Sequence, residues 1–515
     1  MCTASKDGKY VLSFDIGSTY VKAGIIDLET FRTVSKAIEP AKIIFPASGY
    51  AEVSPDSLWR HVINLSSKLS KNRFYEDVSA VIYTAHMAGV LPIDNGYHPL
   101  RNIIIWLDER ASGLPREVFK GLFKVSGYNI FHLIRLLRLT GGAPSKTGKD
   151  PISKIIWIRD YESDLYRSTY KFVDVKGYLI LKSTNSIVTS MDEASLTWLA
   201  DTRGYRAYWS RELTVRYGID ISMLPDIKYS TDVAGYLTED ASSEMGLREG
   251  LPVYVGAGDL TASAVGSGAI NDYEPHIYLG TSSWLAAHTP KRLLDISHYM
   301  GSILSGIPGK YLYIAEQEVA GSALNHISKI LGFNGDYIEL DRLAGEVEPG
   351  SKGLIFIPWL FGERSPIDDP YVRGGYINLS FEHDSKYLIR AVLEGVAYNI
   401  RWSMEYFGVK VPLSKGVKAV GGGIKSDLWC QILADVLGIP IIRMYQPEDA
   451  GLRGSAVFVA IGMEVYRDFI DAGSRFKVDR IFNPDPERSK VYEKMYSIYK
   501  SLYKRLRRVF HSLNK

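Results

Sequence analysis

Asp15-Ile-Gly-Ser-Thr-Tyr-Val-Lys22 lies between two apolar runs, Tyr10-Val-Leu-Ser-Phe14 before it and Ala23-Gly-Ile-Ile26 after it. Apolar run, glycine-containing polar turn, apolar run reads as strand, tight turn, strand, with an acid at the end of the first strand. Gly17 lets the backbone approach something bulky, and Ser18 and Thr19 offer hydroxyls and amides to an anion. Asp15 is placed to hold a cation, Mg²⁺ by its preference for carboxylate oxygen, beside that anion. A phosphate-binding hairpin is expected. The alternative is an ordinary hairpin with a polar turn.

A second copy of the pattern decides between them. Pro275-His-Ile-Tyr-Leu279 runs into Gly280-Thr-Ser-Ser283 and then Trp284-Leu-Ala-Ala287. Two such hairpins facing each other across a cleft would grip a nucleoside triphosphate from both sides. The chain therefore divides into residues 1–250 and 251–515, each half opening near one hairpin.

The bulk numbers suit that size. The 515 residues are 46% hydrophobic and 23% charged, ordinary for a globular protein with large cores. A net charge of +3 gives no case for nucleic acid or membrane binding. Cys2 and Cys430 are the only cysteines, too few for a disulfide framework or a cysteine metal site, and they fit a reducing cytoplasm. The first nine residues lack the apolar core of a signal peptide, and no apolar run approaches the ~20 residues that cross a bilayer.

Along the first half, Ser79–Tyr83 and Asn102–Trp106 read as strands, and Pro151–Arg159 as a helix with apolar residues at three-to-four spacing. Thr147-Gly148-Lys149 has the ending of a P-loop, but the upstream glycines are misplaced and Asp150 replaces the hydroxyl residue, so the stretch is a loop. From Asp485 a helix is expected, with Val491, Met495, Ile498, Leu502, Leu506 and Val509 on the face that docks on its own domain. Lys504, Arg505, Arg507 and Arg508 make its end basic.

Between the hairpins, Leu251-Pro-Val-Tyr-Val-Gly-Ala-Gly-Asp259 reads as a strand, a glycine pair and an aspartate entering a small-residue helix. At this point the sequence resembles the FGGY family of carbohydrate kinases, within the actin/Hsp70/hexokinase group. The resemblance continues through Glu363-Arg364-Ser-Pro366, Arg373-Gly374, Arg390–Asn399 and Val420-Gly-Gly-Gly-Ile-Lys-Ser-Asp427, and it spans nearly the whole chain. It implies an α/β fold of two actin-like (ribonuclease-H-like) domains with a nucleotide and sugar cleft between them.

The resemblance also implies roles. Asp259 would be the general base that takes the proton of a sugar hydroxyl, although it also precedes a helix and could be its N-cap. Asp15 would hold Mg²⁺, partly through water. Gly17, Ser18 and Thr19 would meet the ATP phosphates from one domain, and Gly280, Thr281 and Ser282 from the other. Gly321, Gly422, Gly423 and Ser426 would lie along the nucleotide, or else serve close helix–strand packing. Glu363-Arg364 would be a buried ion pair, and Asp449–Ala456 a packing helix. Met191-Asp-Glu-Ala-Ser195 resembles an element near the cleft, with no role assigned to Asp192.

Substrate choice falls to the first domain. In Thr84-Ala-His86-Met87-Ala88-Gly89, His86 stands where xylulokinase-like members carry glutamine, Met87 matches, and Ala88 replaces a histidine. An imidazole can still bond a hydroxyl, so His86 is either a sugar reader or a satisfied buried histidine. Trp106 would stack on the sugar face and Asp108 would bind vicinal hydroxyls; the alternative is a core tryptophan beside an ion pair. The glycerol-kinase Arg-Glu pair is missing. The expected protein is a cytoplasmic, ATP- and Mg²⁺-dependent kinase of a sugar or polyol, D-xylulose first, with no nucleic acid or membrane partner and a homodimer left open. The rival readings are an actin- or Hsp70-like ATPase module and a kinase for another pentulose, a pentitol or a sugar acid.

Overall fold

A computed structural model describes residues 9–515; the expectations for Cys2 and the first eight residues lie outside the described residues. Its architecture is mixed α/β, built on two sheets. The first contains β1 (Tyr10–Ile16), β2 (Tyr20–Asp27), β3 (Thr33–Pro40), β4 (Val78–Ala85), β5 (Val233–Tyr236) and β6 (Pro252–Tyr254), in the order β5-β6-β4-β1-β2-β3. The second contains β7 (Pro275–Leu279), β8 (Ser283–Thr289), β9 (Gly301–Leu304), β10 (Tyr311–Gln317), β11 (Val417–Val420), β12 (Ile441–Met444) and β13 (Val478–Phe482), in the order β9-β10-β8-β7-β11-β12-β13.

The two sheets repeat one design. In each, the hairpin strand (β1 or β7) is antiparallel to its turn partner on one side. On the other side it is parallel to the strand that follows (β4 or β11). A second parallel neighbour and an antiparallel edge strand complete both sheets. The duplication legible in two short hairpins therefore extends to six strands of each sheet, with β9 an addition to the second.

One boundary moves. Pro252–Tyr254, expected to open the second half at residue 251, is hydrogen-bonded beside β4 and completes the first sheet. A strand of apolar residues belongs to whichever sheet has a free edge for it, which chain position does not reveal.

The first sheet is covered by two remote parts of the chain. One face packs on helices of the first half, through residues such as Leu58, Val62 and Leu179. The other face (Val11, Ile26, Ala80, Ile82) is covered by Leu452, Val457, Phe458 and Val459 of the helix Ala450–Gly462. That helix crosses the helix Asp259–Gly266 backbone to backbone. A Cβ on Gly266 would lie 1.8 Å from the Ala450 carbonyl oxygen, and one on Gly454 1.8 Å from that of Ala262. The packing role expected for Asp449–Ala456 is thus explained by glycine at the crossing.

Local expectations fare unevenly. Pro151–Tyr161 is a helix, and the Thr147-Gly148-Lys149 stretch is a turn. The strand at Asn102–Trp106 shrinks to Ile103–Ile104. The last helix runs Pro486–Asn514 with the Asp485 side chain capping its N-terminus, and it docks on its own half. Its buried stripe is Tyr492, Met495, Tyr496, Tyr499 and Leu502, while Val491, Ile498 and Val509 are exposed. The expected face was off because tyrosine bodies bury as readily as aliphatics when the hydroxyl finds a partner, as Tyr492 and Tyr499 do with Glu394 and Asn399. Among the described residues no helix is long and apolar enough to cross a membrane.

Candidate active site

A cleft of about 490 Å³ is lined from both halves by Asp15, Gly17, Ser18, Thr19, His86, Met87, Trp106, Asp259, Thr281 and Ser282. Gly17 donates its N–H to the Tyr20 carbonyl at 3.0 Å and closes the first turn. Gly280 donates to the Ser282 carbonyl at 3.0 Å and closes the second. The turns meet: Thr19 Oγ1 and Thr281 Oγ1 are 3.0 Å apart.

Asp15 stands opposite Lys22 on the β1–β2 ladder, with Lys22 Nζ 3.5 Å from its Oδ2. Burial works against the Lys22 charge, but Asp15, Tyr278 and Asp449 overcome it and hold the ammonium well above its usual range. Asp259 begins its helix as the residue after the N-cap, Gly258, and its Oδ1 accepts the Leu260 N–H at 2.9 Å. It is therefore not the cap. Burial first, and the Asp15 charge second, raise the Asp259 carboxyl well above the ordinary range. A carboxylate with a raised pKa is a stronger proton acceptor. Glycines hold it there: a Cβ on Gly256 would sit 2.6 Å from the Tyr83 carbonyl, and one on Gly258 2.4 Å from Met87 Cγ.

Asp15 and Asp259 are hard oxygen donors of the kind Mg²⁺ takes, and among the described residues no three His, Cys, Asp or Glu side chains form a metal cage. That set fits a cation completed by water and phosphate oxygens. It does not fit a cation held by protein alone.

The nucleotide-side glycines divide by what their missing side chains would strike. Gly321 donates to the Gly280 carbonyl at 2.8 Å, and a Cβ on it would lie 2.5 Å from that oxygen. A Cβ on Gly423 would press Leu279 Cδ2 at 2.8 Å. Both are required by packing against the second hairpin. Gly422 is exposed and would strike nothing. The Ser426 hydroxyl caps the helix Asp427–Leu437 through the Trp429 N–H at 3.0 Å.

On the sugar side, Trp106 lines the cleft and Asp108 does not. Asp108 is fully buried, with Oδ2 accepting the Ala51 N–H at 2.6 Å and both oxygens bonded by Arg110. Asp108 is held in a buried ion pair outside the cleft lining, between Trp106 and Glu109, which line it. His86 is 5% exposed, its Nδ1 has no hydrogen-bond partner, and burial lowers its pKa to about 4, so the imidazole is neutral. Beside it, the buried Lys154 donates to the Ala88 carbonyl at 2.7 Å, where Ala88 holds a left-handed φ of 62°.

Glu363 and Arg364 do not pair with each other, contrary to expectation. Glu363 accepts the Glu318 N–H at 3.1 Å and bonds Asn399, whereas Arg364 bonds Glu316 and, at 3.0 Å, Glu318. Adjacent residues on an extended chain point apart, which the pairing overlooked. Glu316, Glu318, Lys149 and Trp198 also line the cleft and went unpredicted. All three residues of Glu316-Gln317-Glu318, at the end of β10, line the cleft, and the Gln317 amide is also bonded to Ser283 and Ser403.

The N-terminal domain of the FGGY family of carbohydrate kinases matches residues 10–266 and its C-terminal domain residues 276–463. The chain is 28% identical over 515 residues to the xylulose kinase of Lactococcus lactis subsp. lactis (strain IL1403), with 98% of each chain covered. It is 27% identical over 453 residues to the gluconokinase of Bacillus subtilis (strain 168), covering 84% of each. Among solved structures, it resembles a gluconate kinase from Lactobacillus acidophilus (TM-score 0.84, 23% identity, covering 98% of this chain and 99% of that one). A xyloylose kinase from Brucella ovis gives a TM-score of 0.82 at 26% identity, covering 97% of this chain and 100% of that one.

Proposed function

Because the chain belongs to the FGGY family of carbohydrate kinases and phosphorylates a sugar with ATP, we propose that its acceptor is an uncharged five-carbon ketose such as D-xylulose, with Asp259 as the base. The observation that carries the choice is the charge of the cleft. Nine carboxyls line it against four cations, and Lys22, Lys149 and Arg364 are each already tied to a carboxylate. Such a lining disfavours an anionic sugar and suits hydroxyls, which carboxylates bond as acceptors.

The sugar lies on the first half, with Trp106 against its apolar face and the neutral His86 imidazole bonding a hydroxyl. Asp259 accepts the proton of the attacking hydroxyl as its oxygen meets the γ-phosphorus of ATP. The amides and hydroxyls of Gly17–Thr19 and Gly280–Ser282 fix the phosphates along the line of attack. Asp15 would hold Mg²⁺, which neutralises phosphate charge when bound. Closure of the two halves keeps water from competing with the sugar hydroxyl.

A sugar acid is the second reading. Arg373 lines the cleft and bonds only the Pro370 and Val372 carbonyls, leaving one cation without a carboxylate partner. Gluconokinases also stand among the relatives. ADP release from MgATP, measured across pentuloses, pentitols and aldonates, separates the readings. Turnover on a pentulose that Asp259→Asn lowers by about 10²–10⁴-fold supports the proposal. A preference for gluconate that Arg373→Ala abolishes would replace it.

A further inference from the structure

The turn that carries Asp259 is held by a buried polar chain. Asp192, on the short helix Met191–Leu196, is fully buried, and its Oδ2 accepts the N–H of Gly258 at 2.8 Å. Its Oδ1 accepts the Ser190 hydroxyl at 2.5 Å. Ser190 Oγ in turn accepts from the Lys176 ammonium at 3.1 Å, and the same ammonium donates to the Val255 carbonyl at 3.1 Å. Lys176 and Ser190 are fully buried as well.

The chain thus fastens the turn Val255-Gly-Ala-Gly-Asp259 at both ends, the carbonyl of its first residue and the amide just before the base. Other bonds hold its middle, Val255 N–H to the Asp232 carbonyl, Gly256 N–H to the Ser230 carbonyl and the Thr84 hydroxyl to the Ala257 carbonyl, but only Asp192 holds the Gly258 amide next to the base. The segment contains two glycines, of which Gly256 has a φ of 65°, and the helix it enters has no side-chain cap of its own. Without the clamp, two glycines leave the turn more backbone states than one catalytic geometry needs. A buried charged network of this kind orders its surroundings through fixed donor–acceptor pairs in a low dielectric.

We propose that Asp192 is the positioning residue of the phosphoryl transfer, holding the Gly258 amide so that the Asp259 carboxylate meets the sugar hydroxyl, with Ser190 and Lys176 holding Asp192. The proposal rests on Asp259 being the base. It concerns geometry rather than affinity for ATP, so its signature is a split between kcat and KM.

The test is steady-state kinetics of the full chain with its best sugar. Asp192→Ala should lower kcat about 30- to 100-fold, with the KM for MgATP within about twofold of the parent. Asp192→Asn keeps an oxygen able to accept the Gly258 N–H and should recover at least a third of the parent kcat. Ser190→Ala, which removes one hydroxyl and leaves Asp192 in place, should lie between them and keeps the test valid if Asp192→Ala does not fold. The proposal is overturned if Asp192→Ala and Ser190→Ala melt earlier but keep their kcat, or if Asp192→Asn is as slow as Asp192→Ala. Asp259→Asn in the same assay separates the two failures: if it retains parental kcat, the base assignment falls; if it is inactive while Asp192→Ala and Ser190→Ala keep the parental kcat, the positioning role alone falls.

Discussion

The two hairpins share a strand pairing and differ in turn length by one residue and, more tellingly, at one rung. In each, the second residue pair back from the turn faces the cleft. In the first hairpin that rung is Asp15 opposite Lys22; in the second it is Tyr278 opposite Trp284, stacked at 3.9 Å between ring centroids and 5° between planes. One rung carries charge for a cation and phosphate. The other is a rigid apolar plate. Two grips of the same strand pairing stand in the chain, and one pair of side chains gives charge to the first and stiffness to the second.

The comparison breaks most visibly at Asp15. Asp15→Asn keeps the shape of the rung and removes its anion, leaving Lys22 with the more distant Asp449 charge and the Glu448 carbonyl. We expect kcat to fall about 10²–10³-fold, the cost of losing a preorganised electrostatic contact to the transferring group. A fall of less than tenfold would place the cation elsewhere and end the division of labour. Trp284→Leu is the matching change on the other side. It removes a stack worth about 0.5–1.5 kcal/mol, so the melting temperature should drop by a few degrees while kcat stays within about tenfold. A kcat loss as large as that of Asp15→Asn would show that both rungs do chemistry.

A smaller effect contrasts the halves by pH. His86 in the first half and His276 and His288 in the second are buried neutral, with pKa values of about 4, about 3 and about 4 against an ordinary 6.5. Burial is the leading cause for each. A depressed folded-state pKa means that the unfolded chain binds more protons at acid pH, so the stabilisation is complete above pH 6.5 and is lost as pH falls toward 4. Between pH 7 and pH 5 each histidine should cost about 2 kcal/mol of stability. Neither ring nitrogen of His276 has a partner, so His276→Leu should flatten the slope of denaturation midpoint against pH. The sugar KM should stay constant down to about pH 5, since His86 remains neutral there.

How much of this was legible in the sequence depends on range. The hairpins, the Gly-x-Gly-Asp turn and the cleft they share were readable because each is a local pattern in which glycine, hydroxyl and carboxylate stand at fixed offsets. The ion-pair partners of Asp108 and Arg364 were not legible, because a side chain's direction is set by tertiary packing. Asp192 could not be assigned because its partner, Gly258, is remote in sequence, and nothing in Met191-Asp-Glu-Ala-Ser195 points there. The end of the first sheet at β6 was missed for the same reason.

The helix Ala450–Gly462, which lies in the second half and covers a face of the first sheet, has a consequence for synthesis. A ribosome adding about 5–20 residues per second reaches that helix roughly 10–40 s after it has finished residue 266. Throughout that interval Val11, Ile26, Ala80 and Ile82 have no cover from their native partner. A gene fragment ending after residue 266 should therefore expose this apolar face, and its solubility compared with that of the full chain checks the expectation.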